Sequence, residues 1–249
     1  MDYLVAVLTL LILAFIYWRM IKREIPDPVK PFQAILPFAL GILSMIIYSP
    51  YILWFITTIA PKISILEGIH PFFRGMFSAF LMAGFPEEVL KLIFILITLA
   101  VLRSKVRNVY EYILIGAAVG AGFTVAEEWL YADKFGITTL IMRTLSVAGH
   151  MSFNMVMAEF LGRSRVAKLT GKGSPVKYAI LAFVVPCLIH TLYDTCTTAN
   201  TLLLNESTQI IGAILGGGAY LFLLVFQIYI LTRSKKKTKE FCEMSVQPK

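Results

Sequence analysis

The sequence predicts an all-α fold, a polytopic transmembrane helix bundle of about seven crossings plus one interfacial or re-entrant helix. Three observations carry that expectation. Of 249 residues, 58% are hydrophobic and only 15% charged, and the mean hydropathy is +0.76. Apolar runs of about 20 residues, the length that crosses a hydrocarbon core of about 30 Å as helix, recur along the chain. The basic residues gather between alternate runs, as they do in membrane proteins of fixed orientation.

The apolar spans fall at 3–18, 32–60, 86–102, 112–131, 138–162, 177–197 and 209–232. The first has no basic stretch before it and no small-residue cleavage site, and positive charge follows it, so it reads as a retained anchor with its N-terminus outside. Residues 72–85 (FFRGMFSAFLMAGF) are too few to cross alone and read as the interfacial or re-entrant helix, joined at Pro86 to the next span. In the fourth span Gly116, Gly120 and Gly122 have the small-residue spacing that lets helices approach closely. The segments 19–30, 103–107, 163–177 and 233–249 hold four, three, five and six of the 23 Lys and Arg residues. They lie on alternate sides of successive spans, which puts them and the C-terminus in the cytoplasm and requires an odd number of crossings. Residues 1–249 thus form a single integral-membrane domain, with 233–249 a basic, solvated and flexible cytoplasmic tail.

The net charge of +8 is accounted for by this topology, so the expected surroundings are a lipid bilayer and no nucleic acid. Cys187, Cys196 and Cys242 are odd in number and form no CxxC, which argues against a disulfide framework or a cysteine zinc cage.

The informative residues are the polar ones inside the spans: Glu87, Glu88 and Lys91 in GFPEEVLK, Glu127 and Glu128 in FTVAEEW, His150, Glu159, and His190 with Asp194. A charge at the bilayer centre costs about 2.5–3.5 kcal/mol on insertion scales, so this many together need a purpose. Several have local explanations. Glu87 and Lys91 stand at i,i+4 and could neutralise each other; His190 and Asp194 share that spacing; Glu159 precedes Arg163 by four; Arg74 and Arg143 lie near the outer boundary, where long side chains snorkel; Trp129, Tyr131 and Tyr193 read as interface or packing aromatics. Depth points further. Counted from the cytoplasmic boundaries, Glu87, Glu127, His150 and His190 all lie about 20–24 Å into a core of about 30 Å, so four helices bring polar groups to one level in the outer half.

Carboxylates from two helices and histidines from two others are the ingredients for activating water away from bulk solvent. Zinc-protease chemistry through HExxH is excluded, because no two of the three histidines stand at i,i+4; an aspartyl dyad lacks its second membrane aspartate, and no GxSG serine motif occurs. Glutamate-based hydrolysis remains. Two other readings use the same residues: a proton- or cation-coupled transporter, which would be expected to show paired repeats, and a metal-dependent membrane hydrolase with Glu127, His150, His190 and Asp194 as mixed ligands.

The motifs Glu87-Glu88-x-x-Lys91, Phe123-x-x-x-Glu127 and His190-x-x-x-Asp194 resemble the ordered EExxK, FxxxE and HxxxD motifs of the PrsW family of intramembrane proteases, itself similar to the type II CAAX-processing and bacteriocin-processing membrane proteases. The resemblance spans about residues 72–200, with His150 at a further position where such proteins tend to carry histidine. It implies a helical bundle in which a glutamate activates water without a required metal or other cofactor. The implied substrate is a membrane-anchored protein, an anti-sigma factor in the family's named member, cut first on the extracytoplasmic side of a prokaryotic cell membrane at the start of a stress response. By position, Glu87 would be the principal base and Glu88 would orient the water; Glu127 would be the partner of the base. His190 and Asp194 would polarise the scissile carbonyl, Lys91 would hold the carboxylates, and Glu128 would be a neighbour outside the motif.

Overall fold

The computed structural model describes residues 2–25, 27–64, 68–132, 143–202 and 209–248. The chain begins with α1 (Asp2–Ile21) and α2 (Pro31–Trp54), the latter continuing through a π-helical turn, Phe55–Ile59, into the short α3 (Ala60–Ser64). Pro31 starts α2 at a position whose amide would have no helical partner, which is where proline costs nothing. Next come α4 (Pro71–Ala79), α5 (Phe85–Val101), α6 (Val109–Tyr131), α7 (Gly149–Thr170), α8 (Pro175–Leu202), α9 (Gln209–Lys236) and α10 (Thr238–Glu243). Among the described residues the only strand-like pairing is one isolated bridge, Asn108 with Ser245.

Among the described residues, five helices are long and apolar enough to cross a membrane: residues 3–21, 31–63, 109–131, 175–197 and 214–236. The chain is therefore an all-α polytopic membrane protein. The two other expected spans differ from that description for chemical reasons. Helix α5 has 17 residues and carries Glu87, Glu88 and Lys91 near its start. Helix α7 ends eight residues beyond the span expected to end at 162, whose residues 138–142 fall outside the described ones. Its polar second half does not stop it: Glu159 pairs with Arg163 at 2.8 Å and with Arg233 of α9, so the basic residues continue the helix until Gly171 ends it at φ 68°, its amide donating to the Ala167 carbonyl.

Helix α6 is the central pillar, buried along most of its length against α7 and α2. Its glycines make this possible. A Cβ on Gly116 or Gly120 would strike the α7 backbone at Asn154 or His150, and one on Gly122 would strike the α2 backbone at Phe38. The close-packing role expected from their spacing is what the fold uses.

Two expectations need correction. Residues 72–85 are not a separate helix joined to the next span at Pro86. Helix α4, capped by the His70 ring, which accepts from the Phe72 amide at 3.2 Å, runs without a break through a π-helical turn, Phe80–Gly84, into α5. The wide turn absorbs the proline, and the carbonyls there are used by α2: Tyr51 donates to Leu81 at 2.6 Å and Tyr48 to Met82. Nor is 233–249 a free tail. Helix α9 extends to Lys236, α10 buries Phe241 completely, and the Val246 and Val109 amides donate to the Arg107 and Met244 carbonyls at 3.0 and 3.1 Å.

Candidate active site

Four helices contribute the site. Pro86 fixes the start of α5, so that Glu87, Glu88 and Lys91 fall on its first two turns; Glu87 is 5% exposed, and Glu88 and Lys91 are fully buried. Gly84 lets this turn meet α8, since a Cβ there would collide with the Thr191 side chain one residue after His190. His150 sits in the first turn of α7, whose start is held by Gln227 of α9: the Gln227 carbonyl oxygen accepts from the Ala148 amide at 3.0 Å, and its amide donates to the Leu145 carbonyl at 2.6 Å.

Lys91 is the hub. Its ammonium donates to Glu87 Oε2 at 3.0 Å, to Glu88 Oε1 at 2.8 Å and to His150 Nδ1 at 2.9 Å, and it stands 4.0 Å above the Phe123 ring. An ammonium has no lone pair, so His150 Nδ1 is the acceptor and the proton of this imidazole is on Nε2. That Nε2–H donates to Glu127 Oε2 at 3.0 Å, which fixes the ring between α5 and α6. His190 is held on both sides by carboxylates: Nδ1 lies 2.9 Å from Glu88 Oε1, and Nε2 lies 3.3 Å from Asp194 Oδ2 and 3.8 Å from Glu87 Oε2. The two imidazoles are neighbours, with ring centres 5.1 Å apart.

A cavity of about 350 Å³ opens onto this cluster. Glu87, Glu127, His150, His190 and Asp194 line it, whereas Glu88 and Lys91 stand behind them. The structure thus brings together the candidate site residues Glu87, Glu88, Lys91, Phe123, Glu127, Glu128, His150, His190 and Asp194 and separates them into a lining and a support, whereas Glu159 lies apart with Arg163 and Arg233. Phe123 belongs to the support, packed against Tyr48 and His150 at ring distances of 6.3 and 4.9 Å.

Six residues were missed or misread. Arg143 does not snorkel: it pairs with Glu127 at 3.2 Å and Glu128 at 2.7 Å. Glu128 is accordingly a buried member of the cavity wall, not a loose neighbour. Charge balance was the available signal, since adjacent glutamates in a span call for a cation. Tyr131 and Tyr193 also line the cavity, while Trp129 alone of the three aromatics is exposed, its ring tilted against that of Tyr3 with centres 4.8 Å apart. Tyr48 and Gln227 act through backbone groups and carry no sequence signal of their own.

Fold and site together define a polytopic membrane protein with an acid–histidine cluster enclosed in its helical bundle. A family profile described as "PrsW family intramembrane metalloprotease" matches residues 31–231, and the chain belongs to the PrsW family. Among curated proteins it is 35% identical over 126 residues to the protein named Protease PrsW of Bacillus subtilis, covering 50% of this chain and 56% of that one. It is 31% identical over 124 residues to Protease PrsW of Halalkalibacterium halodurans, covering 49% and 55%. The chain spans about half the length of these relatives. No solved structure matches.

The family description names a metal, so the donors bear testing. Glu87, Glu88, His150 and His190 each bring one ligand atom into a group within 4.8 Å, and two carboxylate oxygens with two imidazole nitrogens suit zinc. Lys91 already competes for these residues. Its ammonium is within 3.0 Å of three of the four donors, and a dication there would have to displace a fully buried cation. As arranged, the donors fit Lys91 and do not fit a metal.

Proposed function

We propose that this protein is a glutamate-type intramembrane endopeptidase, cutting a membrane-anchored protein with water activated by Glu87. The observation that carries the reading is the lining of the cavity: carboxylates and imidazoles from α5, α6, α7 and α8 face one space of about 350 Å³. Family membership and the two relatives named as proteases support the same class.

In this mechanism Glu87 takes a proton from water as the oxygen bonds to the scissile carbonyl carbon. The carbonyl oxygen becomes an oxyanion that accepts from His190 Nε2–H, whose ring Glu88 and Asp194 hold in place. The proton on Glu87 then passes to the leaving nitrogen as the C–N bond breaks, which returns the carboxylate. Glu127 and His150 hold the opposite wall, and Lys91 keeps Glu87 and Glu88 fixed. The N-terminus is outside and the cut lies in the outer half of the membrane, a placement supported by the alternation of basic segments. An anti-sigma factor is the substrate that the family suggests.

The test is cleavage of single-span reporters in proteoliposomes by wild type, Glu87→Gln, Glu127→Gln and His190→Ala, each with and without chelator. Glu87→Gln should lower cleavage on the order of 10²–10⁴-fold while the protein stays folded and inserted, and wild-type cutting should survive chelation. Near-normal cutting by Glu87→Gln would remove it as base. Loss of cutting on chelation, restored by zinc, would put a metal in place of the Lys91-centred arrangement. Proton or cation flux that depends on these residues would replace the protease reading with transport.

A further inference from the structure

A second cavity, of about 650 Å³, lies at the other end of the bundle between α5, α6 and α7. Its polar wall carries Arg103, Arg165 and Lys168, and no acid is among its lining residues. Arg103 comes two residues after α5 ends, and Lys168 is in the last turn of α7, so the three cations gather where these helices leave the apolar layer. Its other wall is hydrocarbon: Leu96, Leu99 and Leu161. Leu96 is 47% exposed on α5 and lies seven residues before Arg103, about 10 Å deeper along the helix axis.

Topology alone explains why cations sit at this end, but not why these three are arranged as they are. Nearby Arg107, Arg163 and Arg233 are each neutralised by glutamates, through Glu24, Glu111 and Glu159. Arg103, Arg165 and Lys168 have no carboxylate within ion-pair distance among the described residues, and they face one concavity. The backbone frames it: Arg165 Nε donates to the Val246 carbonyl at 3.1 Å, and the Gln247 side chain donates to the Arg103 carbonyl at 3.0 Å. An acid-free trio of cations above an apolar wall, at the level where a helix leaves the hydrocarbon, complements one kind of molecule.

We propose that this pocket binds one anionic phospholipid from the adjoining leaflet. Its phosphate lies among Arg103, Arg165 and Lys168, and an acyl chain runs along Leu96, Leu99 and Leu161. The site is remote from the acid–histidine cluster and stands whether or not that cluster cuts peptides.

The experiment uses the full chain purified in detergent, with phosphatidylglycerol, phosphatidylcholine or inorganic phosphate added. Retained lipid is counted by native mass spectrometry and stability is followed by thermal unfolding. Wild type should keep one phosphatidylglycerol in preference to phosphatidylcholine and unfold at higher temperature with it. Arg103→Gln/Arg165→Gln/Lys168→Gln should lose that retention on the order of a hundredfold. Lys235→Gln/Lys236→Gln, which removes two exposed charges outside the pocket, should not. If the triple variant does not fold, Lys168→Gln alone, at an exposed position, should still weaken retention measurably. Equal retention of the two lipids, or unchanged retention in the pocket variants, overturns the proposal. So does equal stabilisation by inorganic phosphate, which would mean that the acyl wall contributes nothing.

Discussion

Lys91 illustrates how much a single residue decides here. Its charge is shared by two carboxylates and an imidazole, so removing it takes the counterion from Glu87 and from the fully buried Glu88. Lys91→Met should destabilise the folded protein by about 3–5 kcal/mol, the usual effect of breaking a buried pair, and should abolish reporter cleavage. Lys91→Arg should not restore cutting, because a planar guanidinium cannot point three bonds at acceptors grouped around a single nitrogen. Thermal unfolding and cleavage assays on both variants check this, and an active Lys91→Arg would show that charge alone suffices. The pairing of Lys91 with Glu87 was legible from i,i+4 spacing. Its bond to His150, 59 positions away, was not, because no local pattern records which helices become neighbours.

Among the elements, the α6–α7 contact sets the position of His150. Because Gly120 of α6 lies against the His150 backbone, its lack of a side chain is a condition for the site and not only for packing. Gly120→Val should cost about 1–3 kcal/mol by overpacking and should lower cleavage further than that loss of stability explains, since it displaces the imidazole. Gly217→Ala on α9, where nothing lies within 4 Å of the added carbon, should leave both unchanged. Reporter cleavage measured well below each variant's unfolding temperature separates the two effects; equal cleavage by Gly120→Val and wild type would sever the link. Helix identity was legible wherever apolar runs were long, and the glycine spacing announced the contact. Boundaries were not, because α7 continues on ion pairs with α9 and α4 joins α5 through a π-helical turn, neither of which hydropathy registers.

At the scale of the whole molecule, the basic end is closed by a clasp joining the α1–α2 loop, the α5–α6 loop and α6. Arg107 lies 3.0 Å from Glu24 and also binds Glu111, so one guanidinium serves two buried glutamates. Burial, with the Glu111 carboxyl beside it, pushes Glu24 from 4.5 up to about 8, although Arg107 and the Val29 amide oppose the shift. The folded protein therefore holds a proton that the unfolded chain has released. The contribution of Glu24 is fully present below pH 4.5 and is lost as pH rises to about 8. Glu24→Gln should flatten the decline of unfolding temperature over that range; an unchanged slope would count against the shared-cation account. Convergence of the polar residues was expected from depth counting, whereas the folding-back of the C-terminal segment onto the α5–α6 loop was hidden by its resemblance to an ordinary basic tail.

The contacts of Glu88 carry a consequence for how the chain enters the membrane. During synthesis α5 emerges with Lys91 already able to neutralise Glu87 within the same helix, so one carboxylate brings its own counterion into lipid. The histidine that Glu88 contacts in the folded protein lies 102 residues further on, in α8. Until that helix arrives, two acids share a single ammonium, and α5 is a reluctant lodger beside the insertion machinery. The same bond that orients His190 thus makes completion of the site wait for α8, and a chain halted before α8 should leave α5 poorly inserted.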